Sequence, residues 1–101
     1  MKYLFRGEKN NTYYYGNLVV RSGNSFIVND KVDIPVYNVS LASPFKYENG
    51  EYIFENDCVV YKINEASGMV RFSNGSFIVD FGSAEILLSE IYMYLREKKW
   101  S

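Results

Sequence analysis

The residues that could do chemistry are four carboxylates set close together, Glu48, Glu51, Glu55 and Asp57, followed at once by the only thiol, Cys58. Carboxylates grouped in this way can hold a hard divalent cation or divide general acid and base roles between them. Their neighbours favour a plainer use. Glu48 and Glu51 bracket Asn49-Gly50, where charge keeps a turn solvated. Asn56 and Asp57 are turn formers that can fix the entry to a strand by bonding nearby backbone groups. Cys58 stands before Val59-Val60 at the start of a strand and reads as a buried, inert thiol. The chain has no histidine. A His/Cys zinc site and a Ser-His or Cys-His nucleophile are therefore excluded, and with them the commonest hydrolytic machinery. No metal, cofactor or catalytic residue is expected, and an enzyme is the least favoured class.

The other unusual inventory is aromatic: ten Tyr, seven Phe and one Trp in 101 residues. A domain this small cannot bury ten tyrosines with every hydroxyl satisfied, so several belong at the surface, where they serve as contact residues. Tyr13-Tyr14-Tyr15 could stack bases, but only Lys9 and Arg21 lie nearby to form the basic groove such a platform needs. Sheet packing is the ordinary reading, with an interface role as its main competitor. In a strand Tyr13 and Tyr15 share one face and Tyr14 takes the other. The C-terminal run Arg96-Glu97-Lys98-Lys99-Trp100 is basic, and its Trp either anchors an interface or folds back. The interface candidates are Tyr13, Tyr15, Tyr92, Tyr94 and Trp100.

These residues need elements to carry them. Residues 1–7 form a short strand and Glu8-Lys9-Asn10-Asn11 a turn. Thr12 to Arg21 is a second strand whose interior Gly16 marks a bulge or bend. Ser22-Gly23-Asn24 leads into Ser25 to Asn29, which completes a three-stranded meander. Pro35 confines its segment to a sheet edge or an extended loop. Val36 to Leu41 alternates as a half-buried strand with Tyr37, Val39 and Leu41 inward, and Ser43-Pro44 breaks it. Glu51 to Phe54 is a short strand and Cys58 to Ile63 a strong one. Met69 to Phe72 and Phe77 to Phe81 flank Asn74-Gly75, the best local hairpin pattern in the chain.

Beyond Gly82 the period changes. Ser83 can cap a helix, Ala84, Leu87, Leu88, Ile91 and Leu95 fall at helical spacing, and the charges suit the helix dipole. A strand competes, because Ile91, Met93 and Leu95 alternate with Tyr92 and Tyr94. The helix fits more positions and is the expectation. The fold class is mainly β with a C-terminal α-helix: a small antiparallel barrel with an N-terminal antiparallel β meander. Within one domain of 101 residues, 1–44 form the N-terminal β subregion, 45–82 the barrel core and 83–101 the helix.

Several segments together resemble the YopX-like proteins of bacteriophages and prophages. They are Phe5-Arg6-Gly7, Tyr15-Gly16-Asn17-Leu18, the central run Asn49-Gly50-Glu51-Tyr52-Ile53-Phe54-Glu55-Asn56-Asp57-Cys58-Val59, Gly68-Met69-Val70-Arg71-Phe72 and Asn74-Gly75-Ser76-Phe77. Cys58 stands where the family usually has Ile, Glu48 where Lys is common, and Leu41-Ala42-Ser43-Pro44-Phe45 replaces a Gly-Gln-(Tyr/Phe)-Thr-Gly pattern. The resemblance covers residues 3 to 81 in order. It implies an SH3-like barrel in the second half, a β-rich first half and a phage origin. It implies no reaction and carries no catalytic residues.

Charge and cysteine count bound the partners. Eleven Lys plus Arg nearly cancel twelve Asp plus Glu, so nucleic acid is disfavoured. A single Cys suits a reducing, cytoplasmic setting, here the host bacterial cell, and no apolar run is long enough to span a membrane. The expected function is that of a non-enzymatic phage accessory protein acting by protein binding. Its expected partner is a host protein, with a component of an antiviral defence system as the candidate class; self-association is left open. Two alternatives stand beside it. One is a nucleic-acid-binding barrel using Lys2, Arg6, Arg21, Lys62 and Arg71. The other is a protein that sequesters a small ligand, such as a nucleotide signal, in an aromatic pocket between subunits.

Overall fold

Among the described residues three hairpins turn on two residues with positive φ. Asn10-Asn11 have φ of 52° and 63°, Ser22-Gly23 51° and 80°, and Asn74-Gly75 52° and 80°. Positive φ at both central positions is the type I′ geometry, whose twist matches that of the strands it joins. The expected Asn74-Gly75 hairpin is present. The computed structural model describes residues 4–29 and 32–98. Its strands are β1 (Phe5–Lys9), β2 (Thr12–Arg21), β3 (Asn24–Asn29), β4 (Val32–Lys46), β5 (Tyr52–Phe54), β6 (Cys58–Tyr61), β7 (Ala66–Ser73), β8 (Ser76–Asp80), β9 (Glu85–Leu87) and β10 (Leu95–Glu97), with one helical turn, α1 (Leu88–Ile91), before β10. The fold is mainly β, with two antiparallel sheets. Among the described residues no helix is long and apolar enough to cross a membrane.

The chain divides into two compact units, residues 1–42 and 43–101. In the first, the expected meander goes further and closes on itself. β2 gives its first half to β1 and its second half to β3, changing partner at Gly16-Asn17. β4 does the same between β3 and β1, with a register shift between Arg6 and Glu8 and Asn38 at φ 49°. Four strands thus form a ring around Ile27, which is fully buried. Gly16 is required at the switch, because a Cβ there would lie 2.5 Å from the Val28 carbonyl oxygen. Pro35 sits where β4 has a partner on one side only, so its missing N–H breaks no ladder.

β4 continues through Ser43-Pro44 to Lys46, where a break was expected. The Ser43 hydroxyl oxygen accepts the Phe45 N–H at 3.1 Å, which supplies a partner beside the proline.

The second unit has strand order β10-β6-β7-β8-β9, the SH3-like arrangement, with a 3-10 turn over Tyr92–Tyr94 leading into the closing strand. Its core is Tyr47, Ile53, Val59, Val70, Val79, Leu88, Ile91 and Leu95. Gly68 lets β7 lie close under the next strand: a Cβ there would meet Val79 Cγ1 at 2.8 Å and the Phe81 ring at 2.9 Å.

The helix read from Ser83 onward exists as one turn. Residues 85–87 pair with Ile78–Asp80, and Leu95–Glu97 pair with Val59–Tyr61. Ser83 caps nothing, since the turn begins after Leu87 without a side-chain cap, and no basic residue lies in its last turn. The buried members of the apparent helical stripe are Leu88, Ile91 and Leu95, while Ala84 and Leu87 are exposed. A turn followed by a strand buries Leu88, Ile91 and Leu95 just as well, and pairing with β6 and β8 overrides the local preference. Both edge strands of this sheet, β9 and β10, therefore come from residues beyond 82.

Candidate functional site

The carboxylate cluster resolves into structural parts. Tyr47 N–H donates to the Glu51 carbonyl at 2.8 Å, and Asn49 Oδ1 accepts the Glu51 N–H at 2.9 Å, closing the turn before β5. Asn56 takes φ 73°, and the backbone of 56 and 57 bonds that of Val70 in both directions. Asp57 is buried at 6% exposure; its Oδ2 accepts the Tyr47 hydroxyl at 2.8 Å and the Phe54 N–H at 3.0 Å. Two donors, one from the segment just after β4 and one from β5, thus converge on one carboxylate oxygen and lock the entry to β6. Glu48 and Glu51 are exposed. Among the described residues no group of three or more His, Cys, Asp or Glu could hold a metal ion.

Cys58 differs from its expected burial. It is half-buried and lines an open groove of about 360 Å³ with Ser67, Met69, Arg71, Asp80 and Lys98. Val59, one residue on, takes the core face, so strand alternation turns Cys58 outward.

At the rim of this groove Asp80 Oδ1 accepts the Gly82 N–H at 2.8 Å and Oδ2 accepts Arg71 Nε at 3.1 Å. The Gly82 N–H, and after it the Arg71 guanidinium, hold the Asp80 carboxyl below its ordinary 3.8. A depressed carboxylate pKa adds stability above the unfolded value and loses it as pH falls through the folded one. Asp80→Asn is therefore expected to be less stable than the parent at pH 6. That difference should shrink as pH drops below about 4. Urea midpoints of both chains at pH 6 and pH 3 check this, and a gap that stays constant would contradict it.

The aromatic candidates separate into three groups. Tyr92 is half-buried and stacks on Phe45 with centroids 4.7 Å apart, so it packs against the core. Tyr94 is exposed and meets Tyr61 edge-on at 6.3 Å, and Tyr61 in turn lies 6.1 Å from Phe81. Trp100 lies outside the described residues.

Tyr13 and Tyr15 form the third group, and the ring places a third tyrosine beside them. Across β2, β1 and β4 the registers are Tyr13–Glu8–Tyr37 and Tyr15–Arg6–Ser40, and residues directly opposite in antiparallel strands share a face. Tyr13, Tyr15 and Tyr37 are 48%, 45% and 50% exposed, too open for core residues and close enough to act together. Arg6 lies between them with its guanidinium carbon 4.5 Å from the Tyr13 ring centroid, a cation–π contact that orients that ring. Tyr14 is half-buried, as its alternate position requires.

Tyr37 was expected inward with Val39 and Leu41. The extra residue at the Asn38 bulge shifts the register and puts Tyr37 on the face of Arg6 and Glu8, where it is exposed. Asn within a strand, the residue type that tolerates positive φ, is the one clue the sequence offered.

The basic residues are individually engaged. Arg21 pairs with Asp33, Lys62 with Glu48 at 3.3 Å and Arg71 with Asp80 at 3.1 Å, while Arg6 stacks on Tyr13. Lys2 lies outside the described residues. A second open groove, about 400 Å³, is lined by Tyr47, Glu48, Lys62 and Arg96, with both signs of charge. No family model, no curated protein and no solved structure matches the chain.

Proposed function

We propose that this chain is a non-enzymatic, YopX-like accessory protein of phage origin that acts in the host bacterial cell by binding a host protein. The observation that carries the binding part is the face built by Tyr13, Tyr15 and Tyr37 around Arg6. Tyrosine provides large, amphipathic contact area at small entropic cost, which is why it is enriched among residues that dominate binding energy. A closed ring of strands supplies the rigid platform such anchors need. Asn11, Asn17 and Ser22 are exposed residues of the same ring and offer adaptable hydrogen bonding of the kind found in binding loops.

The signature run from Asn49 to Asp57 supports the non-enzymatic part, because its Asn49 and Asp57 side chains are used in a turn and in the Tyr47–Asp57–Phe54 lock. Phage origin and the host partner rest on the resemblance. A host defence component fits a small protein that works by covering a surface. Nucleic acid is less favoured, since Arg21, Lys62 and Arg71 are each held by a carboxylate.

Affinity capture of the tagged chain from bacterial lysate, with and without nuclease, tests the reading. A single stoichiometric protein that survives nuclease is the expected result. Loss of every partner on nuclease treatment would transfer the assignment to nucleic acid. An empty capture would overturn the protein-binding reading for that host.

A further inference from the structure

We draw no further inference here: the strongest candidate, the row of rings Phe81, Tyr61 and Tyr94 in the C-terminal unit, is an unpartnered apolar face, and nothing in the structure shows what covers it.

Discussion

A chain that stops at Gly82 is expected to lose the cooperative fold of its second unit. Residues 83–98 supply Leu88, Ile91 and Leu95, three of the eight buried residues in that core. They also supply β9, which pairs with β8, and β10, which pairs with β6. Truncating one such buried side chain to Ala costs about 2–5 kcal/mol. Losing three, about 6–15 kcal/mol, together with two ladders, is as large as the whole stability of a small domain, about 5–15 kcal/mol. The amide spectrum of the truncated chain, compared with that of the full chain, checks the expectation. Collapse of the dispersed signals from Val59, Val70 and Val79 is the expected result. A truncated chain with those signals intact and a sigmoidal urea transition would show that the second unit folds without its two edge strands.

Asp57→Ala is expected to be the most damaging single polar substitution in the second unit. It removes the acceptor for the Tyr47 hydroxyl and the Phe54 N–H at a buried position. A buried donor left without a partner costs about 1–3 kcal/mol, so two of them cost about 2–6 kcal/mol. Tyr47→Phe provides the comparison, because it removes one donor and leaves Asp57 bonded to Phe54; its expected cost is about 1 kcal/mol. Denaturant titration separates the two, with midpoints falling in that order at unchanged slope. Equal midpoints for the two variants would mean that the carboxylate is not the point of convergence described above.

The hairpins were legible because their turns are chemically explicit. Asn-Gly at 74–75 can adopt positive φ at two successive positions at little cost, and the alternation on either side states the strands. The role of Asp57 was legible for the same reason, since Asx residues beside a strand entry bond local backbone. Strand closure was harder. Nothing local in residues 37–41 says that they pair with β1, a segment about thirty residues earlier. The bulge at Asn38 then reversed the inward–outward assignment of Tyr37, and with it one third of the aromatic face.

The tail misled in a different way. Leu88, Ile91 and Leu95 have helical spacing, but a single turn leading into a strand buries the same three residues. Only the vacancy beside β6, a tertiary fact, decides between the two. Alternation alone puts Tyr13 and Tyr15 on one exposed face, whereas the half-burial of Tyr92 depends on its stacking partner, Phe45, which lies far away in sequence.

The most direct test of the proposed function compares three chains in the same capture: the parent, Tyr13→Ala/Tyr15→Ala/Tyr37→Ala, and Tyr52→Ala as an exposed tyrosine of the second unit. Urea midpoints of the three establish that all remain folded. Loss of two or three central anchors weakens a typical interface by about 4 kcal/mol or more, roughly a thousandfold. The account predicts that the triple variant, folded, retains no partner while Tyr52→Ala retains it as the parent does. A folded triple variant that holds the partner at the parental level would contradict the assignment of this face.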